Sequence, residues 1–167
     1  MLCLQYNIEM YVKDRLIGFN NSSISYDSNS YPTSFTSDGV THTLTWTKGK
    51  LATYKNSIIL AGKSTYTYTY DGYGRRISKR YSFMKRSQSM ASYVTMSLTD
   101  YTYDTSGRLI RENLTETYND FTSVTRDILY LYDESGIVGA IQKYNSTTET
   151  FYFDRSIKGD VIGIYNY

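Results

Sequence analysis

Apolar and polar positions alternate with period two along most of the chain, the pattern of an extended strand with two distinct faces rather than of an amphipathic helix. Tyr66, Tyr68 and Tyr70 fall on one face of such a strand and Thr65, Thr67 and Thr69 on the other. Ile128, Tyr130 and Tyr132 share a side with Leu129 and Leu131 opposite, so that strand is expected to be apolar on both faces and the more buried. After it, Ile137, Gly139 and Ile141 alternate with Val138, Ala140 and Gln142. The run 44–52 alternates too and turns at Lys48-Gly49, and His42 sits in an alternating stretch, expected to face solvent or neighbouring tyrosines. Residues 82–100, with Met84, Met90 and Met96, and the polar stretch 113–127 read as longer loops or irregular strands, with one more strand possible over 90–98.

The strands are punctuated by a repeat, which bears directly on the fold. Tyr68-Thr69-Tyr70-Asp71-Gly72-Tyr73-Gly74-Arg75 recurs as Tyr101-Thr102-Tyr103-Asp104-Thr105-Ser106-Gly107-Arg108, and again as Tyr130-Leu131-Tyr132-Asp133-Glu134-Ser135-Gly136. The aspartate can accept a hydrogen bond from the N–H two residues on, and the glycine three residues later takes a positive φ without a Cβ clash. Asp71/Gly74, Asp104/Gly107 and Asp133/Gly136 are therefore expected to close hairpins of one kind, with loops of three to four residues. A degenerate copy starts at Tyr26-Asp27, where Ser30 stands at the glycine position and Pro32 follows, so its turn is expected to be built differently. Tyr152-Phe153-Asp154 opens a fifth, longer-looped relative, with Gly159-Asp160 in the turn.

Composition fits strands: 20 tyrosines, abundant Thr and Ser and a single proline among 167 residues favour a pleated, half-buried surface. A net charge of +2, with no dense basic run, argues against a nucleic-acid groove. No apolar run approaches the roughly 20 residues that span a bilayer, and the first residues lack the basic and apolar regions of a signal peptide. Cys3 is the only cysteine, too few for a disulfide or a cysteine metal cage.

Catalytic and metal chemistry finds little to work with. His42 is the only histidine and has no acidic partner at ligand spacing. The motif aspartates have a role in the turns, and one acid per turn, without an Asp-x-Asp ladder, is not a calcium pattern. Four Asn-x-Ser/Thr sequences, at Asn20, Asn21, Asn113 and Asn145, match the glycosylation acceptor pattern. Tyrosines beside Asp and Asn also suit stacking on sugar rings, so a cell-wall glycan is a candidate ligand.

The Tyr-Asp-x-x-Gly copies, with the stretch 151–165 that includes Gly159-Asp160-Val161-Ile162-Gly163, resemble the tyrosine-aspartate (YD) repeats of Rhs proteins and the start of the Rhs repeat-associated core, in the style of wall-associated proteins of Gram-positive bacteria. The resemblance implies an all-β fold of consecutive antiparallel hairpins forming a curved ribbon, part of a β-shell around a C-terminal toxin or effector, secreted or displayed at the cell surface. Animal teneurins carry related repeats as a β-barrel. On this reading 1–24 is an irregular N-terminal segment with a possible strand, 25–150 holds the YD hairpins, and 151–167 starts a truncated core. The chain would then be a non-catalytic fragment without cofactor, partnered by neighbouring YD repeats and an enclosed effector. The turn set is Tyr70, Asp71, Gly74, Tyr103, Asp104, Gly107, Tyr132, Asp133 and Gly136. An excised segment of this kind is expected to leave open sheet edges and to self-associate.

Overall fold

The computed structural model describes residues 9–12, 15–19, 22–58, 62–85 and 93–166, and every regular element among them is a β-strand. Cys3, Asn20, Asn21 and residues 90–92 of the possible strand lie outside them. Strands β1 (Glu9–Val12), β2 (Arg15–Phe19) and β3 (Ser22–Ser23) form a small antiparallel sheet. The remaining strands follow one another in sequence order through a 12-stranded antiparallel sheet: β4 (Ser25–Tyr26), β5 (Pro32–Ser37), β6 (Val40–Thr47), β7 (Lys50–Ile58), β8 (Gly62–Tyr70), β9 (Arg76–Lys85), β10 (Val94–Tyr103), β11 (Leu109–Tyr118), β12 (Ser123–Asp133), β13 (Gly136–Tyr144), β14 (Thr147–Arg155) and β15 (Val161–Asn166). Strands β4 and β15 are its edges, so the sheet is not closed into a barrel. The all-β meander of consecutive hairpins is thus as the alternation and turn chemistry predict.

The chain divides into two compact units. Unit 1 holds β1 to β7, most of β8 and the end of β9; unit 2 holds the turn between β8 and β9 with its flanking residues, and β10 to β15. Position 150/151, where a boundary was expected, falls inside β14.

Two stretches expected to be longer loops or irregular strands, with one more strand possible over 90–98, contain regular strands. Residues 94–103 form β10, and 113–127 is the body of the β11–β12 hairpin, paired without a register shift from Arg111↔Leu129 to Thr117↔Ser123. Its polarity misleads because the polar side chains pair with one another: Thr117 and Ser123 hydroxyls lie 3.1 Å apart, and Arg111 grips Asp127 through Nε (2.6 Å) and Nη2 (3.0 Å). Cross-strand pairs of this kind contribute roughly 0.2–1 kcal/mol each.

Little is deeply buried. Apart from glycines, only Ala140 (4 % exposed) and Thr99 (8 %) are buried among the described residues, and no described side chain is fully enclosed. Strand β12, expected to be apolar on both faces and the more buried, leaves Leu129 at 43 % exposure. On that face Leu129 pairs with Arg111 and Ile141 and lines an open polar cleft with Asp127 and Lys143. Hydrogen-bonded ladders and lateral side-chain pairs therefore hold each unit more than a sandwiched core does.

Candidate functional site

The chemistry of the repeat is concentrated in the turns at one end of the strands. Asp71 N–H donates to Arg75 O (2.9 Å) and Gly74 N–H to Asp71 O (3.0 Å), while the Asp71 carboxylate accepts the N–H groups of Tyr73 (3.0 Å) and Arg75 (2.9 Å). Asp104 repeats the backbone bonds with Arg108 and Gly107, and its carboxylate accepts the Arg108 N–H (2.8 Å). Gly74 and Gly107 have φ of 80° and 85°, the left-handed region where a Cβ is penalised. In each turn the residue after the glycine is an arginine whose Nε bonds the same carboxylate at 2.7 Å.

Three expectations need correcting. Asp27 and Ser30 build the same turn as Asp71 and Gly74, with Asp27 N–H to Tyr31 O at 2.9 Å, because the Asp27 carboxylate caps Asn29 and Tyr31 and holds Ser30 at φ 71°. Asp133 and Gly136, in contrast, do not share the fold of the first two copies. They face each other across a two-residue turn, Glu134-Ser135, and Gly136 has φ 125°. In the last hairpin the position of the turn aspartate is filled by Ser156 rather than Asp154: Ser156 N–H donates to Asp160 O (2.9 Å), Gly159 N–H to Ser156 O (2.9 Å), and Ser156 Oγ accepts the Lys158 and Asp160 N–H groups. Asp154 accepts the Tyr165 hydroxyl instead (2.9 Å).

Five hairpins that turn at this end carry a one-residue bulge just after the turn. Thr33, Ala52, Ile110, Val138 and Ile162 are left unmatched in the β4–β5, β6–β7, β10–β11, β12–β13 and β14–β15 pairs. The opposite-end hairpins β5–β6, β11–β12 and β13–β14 pair without a shift. A bulge interrupts the ladder and increases the local twist.

At the interrupted positions the structure contains a latch between successive turns that the sequence does not reveal. In unit 2 the Tyr103 hydroxyl donates to Arg76 O (2.8 Å), and its ring lies under the Arg75 guanidinium, 4.9 Å from the ring centroid. Tyr132 does the same to the next turn back, donating to Leu109 O (2.8 Å) with Arg108 4.9 Å from its ring. In unit 1 Trp46 occupies the same place: its indole N–H donates to Pro32 O (2.7 Å) and its ring stacks on Tyr31 at 5.0 Å. The rule is positional. The fifth residue of the earlier turn stacks on an aromatic ring at the end of the next strand but one, and the carbonyl after it accepts that ring's N–H or O–H. Pro32 and Leu109 immediately precede the bulged residues Thr33 and Ile110.

The hairpin at Asp133 has no arginine after its glycine, and Arg155 of β14 substitutes. Its guanidinium bonds the Ser135 carbonyl and hydroxyl and lies 4.0 Å from Asp133. A Cβ on Gly136 would fall 2.5 Å from Arg155 Nη1, a contact that the flexible guanidinium end would relieve only by shifting from its place on Ser135. In the turn set, Arg76 lies 6.0 Å from the ring centroid of Tyr70.

Neither a family model nor a curated protein matches the chain. The reading of its role therefore rests on geometry.

The electrostatics follow the hydrogen bonds. At Asp71 desolvation raises the pKa, but the Arg75 N–H and guanidinium outweigh it, so the net shift is downward. The Arg108 guanidinium lowers Asp104, the Ser135 hydroxyl lowers Asp133, and Arg111 lowers Asp127. Burial, reinforced by Glu112, raises Tyr101 and Tyr130; the Tyr130 hydroxyl donates to Glu112 at 2.8 Å. Each of these shifts has a charged or hydrogen-bonding neighbour within the fold.

On the half-buried side of β5 to β8 in unit 1, Phe35, His42, Tyr54 and Tyr66 form a row with centroids 4.5, 5.8 and 5.7 Å apart. The His42 Nδ1 lies 2.7 Å from the Tyr54 hydroxyl, so this histidine faces its aromatic neighbours rather than solvent. Beside it an open, mainly apolar cleft of about 320 Å³ is lined by Leu16, Ile24, Tyr26, Pro32 and Phe35 among others. The Tyr26 hydroxyl there is bonded to Leu16 O (2.6 Å). Among the described residues no group of three His, Cys, Asp or Glu side chains could hold a metal ion, and no helix is long and apolar enough to cross a membrane.

Proposed function

We propose that the chain is a non-catalytic structural segment of an Rhs-type YD-repeat shell that encloses or presents a C-terminal toxin or effector, secreted or at the cell surface as part of a longer protein. The observation that carries this reading is the use made of the motif. Aspartate, glycine and arginine close the turns at Asp71 and Asp104, and the aromatic residue before the following turn locks onto each of them. A device that joins each hairpin to its neighbour extends a sheet indefinitely, which is what a shell wall requires. A sheet with so few enclosed side chains also suits a wall whose other surface faces a cargo.

The rival role, a carbohydrate- or cell-wall-binding module, needs free aromatic faces on which sugar rings can lie. In unit 1 the interplanar angles of 22°, 15° and 15° between Tyr31 and Trp46, Phe35 and His42, and His42 and Tyr54 mean that the rings cover one another's faces. In unit 2 guanidinium groups lie over Tyr103 and Tyr132. This favours the wall. A glycan array and a peptidoglycan pull-down separate the two: binding lost on Tyr68→Ala or Tyr103→Ala supports the module. The shell reading is tested by the DNA around the reading frame. Repeats upstream with core and effector downstream support it, and unrelated genes on both sides count against it. Turnover of a polysaccharide panel by purified protein would overturn the non-catalytic assignment.

A further inference from the structure

The aromatic row of unit 1 contains two tyrosines set for oxidative coupling. Tyr54 of β7 and Tyr66 of β8 are directly opposed in the ladder, with ring centroids 5.7 Å apart and ring planes tilted by 33°. Opposed side chains in an antiparallel pair have Cβ atoms about 4.5–5.5 Å apart, so the strands themselves hold the two rings side by side. Tyr54 also has a proton acceptor in place. Its hydroxyl lies 2.7 Å from His42 Nδ1, and the imidazole is in turn stacked on Phe35, with centroids 4.5 Å apart and planes 15° from parallel. With the ring proton of His42 on Nε2, Nδ1 accepts from the phenol. A phenol gives up an electron far more easily when its proton leaves at the same time, and a hydrogen-bonded imidazole takes that proton.

We propose that Tyr54 and Tyr66 form an intramolecular dityrosine cross-link when the protein meets a one-electron oxidant of the class of a haem peroxidase with hydrogen peroxide. Tyr54 gives an electron to the oxidant and its phenolic proton to His42, which passes it to solvent; Tyr66 gives an electron to the oxidant and a proton to water. The two phenoxyl radicals join through their ortho carbons in one new C–C bond. The hydrogens on those carbons then move to the phenolic oxygens as the rings regain aromaticity. Hydrogen peroxide takes up the two electrons and two protons and leaves as two waters. Holding both partners in one sheet makes the coupling effectively unimolecular. The product ties β7 to β8 by a covalent bond.

The test treats the full chain at low concentration with a haem peroxidase and hydrogen peroxide, and follows dityrosine fluorescence and the mass spectrum of tryptic fragments. The expected product is fragment 51–55, whose one tyrosine is Tyr54, linked to fragment 64–75 at Tyr66, in a yield per chain that does not fall on dilution. Tyr54→Phe and Tyr66→Phe each abolish this linked fragment. His42→Phe keeps a flat ring between Phe35 and Tyr54 but no acceptor, and slows its formation by about tenfold or more. In His42→Ala, added imidazole restores the rate. A yield that falls with dilution, or linkage centred instead on exposed tyrosines such as Tyr73 (88 % exposed), would overturn the proposal. So would a rate indifferent to His42→Phe, or a His42→Ala rate that imidazole leaves unchanged. The mapping of the unaltered chain decides without relying on any variant folding.

Discussion

Unit 1 and unit 2 contain the same latch in different chemistry. In unit 1 a tyrosine stacks on a tryptophan whose indole N–H reaches the carbonyl of Pro32; in unit 2 arginines stack on tyrosines whose hydroxyls reach the carbonyls of Arg76 and Leu109. The donor-to-carbonyl distances agree to within 0.1 Å, at 2.7, 2.8 and 2.8 Å. What repeats is a position, a flat group above a ring with a donor at its rim, and several residue types satisfy it. The difference in chemistry lies in charge. The stacked pair of the unit 1 latch is uncharged, although the Asp27 carboxylate caps the Tyr31 N–H, whereas each unit 2 arginine pairs through its guanidinium with its turn aspartate.

Removing the ring should have the largest effect. Trp46→Ala in unit 1 and Tyr132→Ala in unit 2 each lose a partly buried aromatic and its hydrogen bond, an expected cost of about 2–4 kcal/mol, measured by denaturant unfolding. Equal losses sharpen the equivalence of the two latches; a loss at only one breaks it. Removing only the rim donor is milder. Tyr132→Phe keeps the ring under Arg108 and should cost about 1 kcal/mol.

Acid should separate the units next. The carboxyls of Asp71, Asp104, Asp127 and Asp133 have folded pKa values below their ordinary ones. Their contribution is therefore complete above about pH 4 and is lost as pH falls through the depressed values. Amide exchange followed from neutral pH to below about pH 4 should show unit 2 turns opening while the amides beside Trp46 stay protected, after correction for the intrinsic pH dependence of exchange. Simultaneous opening would mean that the charged pairs contribute nothing distinctive.

The smallest effect has the opposite sign. Ser30 adopts φ 71° in a turn otherwise like those of Gly74 and Gly107. Ser30→Gly removes a Cβ penalty of about 1 kcal/mol, partly offset by the greater freedom of glycine in the unfolded chain, and should raise the thermal midpoint slightly.

The sequence discloses the hairpins because their determinants are local. Alternation sets the faces, and Asp-x-x-Gly closes a turn within five residues. Locality also explains the errors. Asp133-x-x-Gly136 has the right letters, but whether a hairpin closes over two residues or five depends on the pairing register, which the motif does not encode. Ser30 and Ser156 lack the expected letters, yet the backbone bonds form because one side-chain oxygen caps two N–H groups in each case. Residues 113–127 read as a longer loop or an irregular strand because the pairing of Arg111 with Asp127 and Thr117 with Ser123 becomes evident only once the register is known. The latch is the extreme case. Its hydrogen bonds join residues 14, 27 and 23 positions apart, and neither Trp46 nor the arginines differ in the sequence from ordinary surface strand residues.

The central claim, that ring and flat group form one energetic unit coupling a turn to the hairpin after next, is tested most directly by a double-mutant cycle on Arg108 and Tyr132, using Arg108→Ala, Tyr132→Ala and the double variant in denaturant unfolding. The account predicts a coupling of about 0.5–1 kcal/mol, with the double variant costing less than the sum of the singles. Strict additivity would contradict it, leaving the arginine and the tyrosine as neighbours with no latch between them.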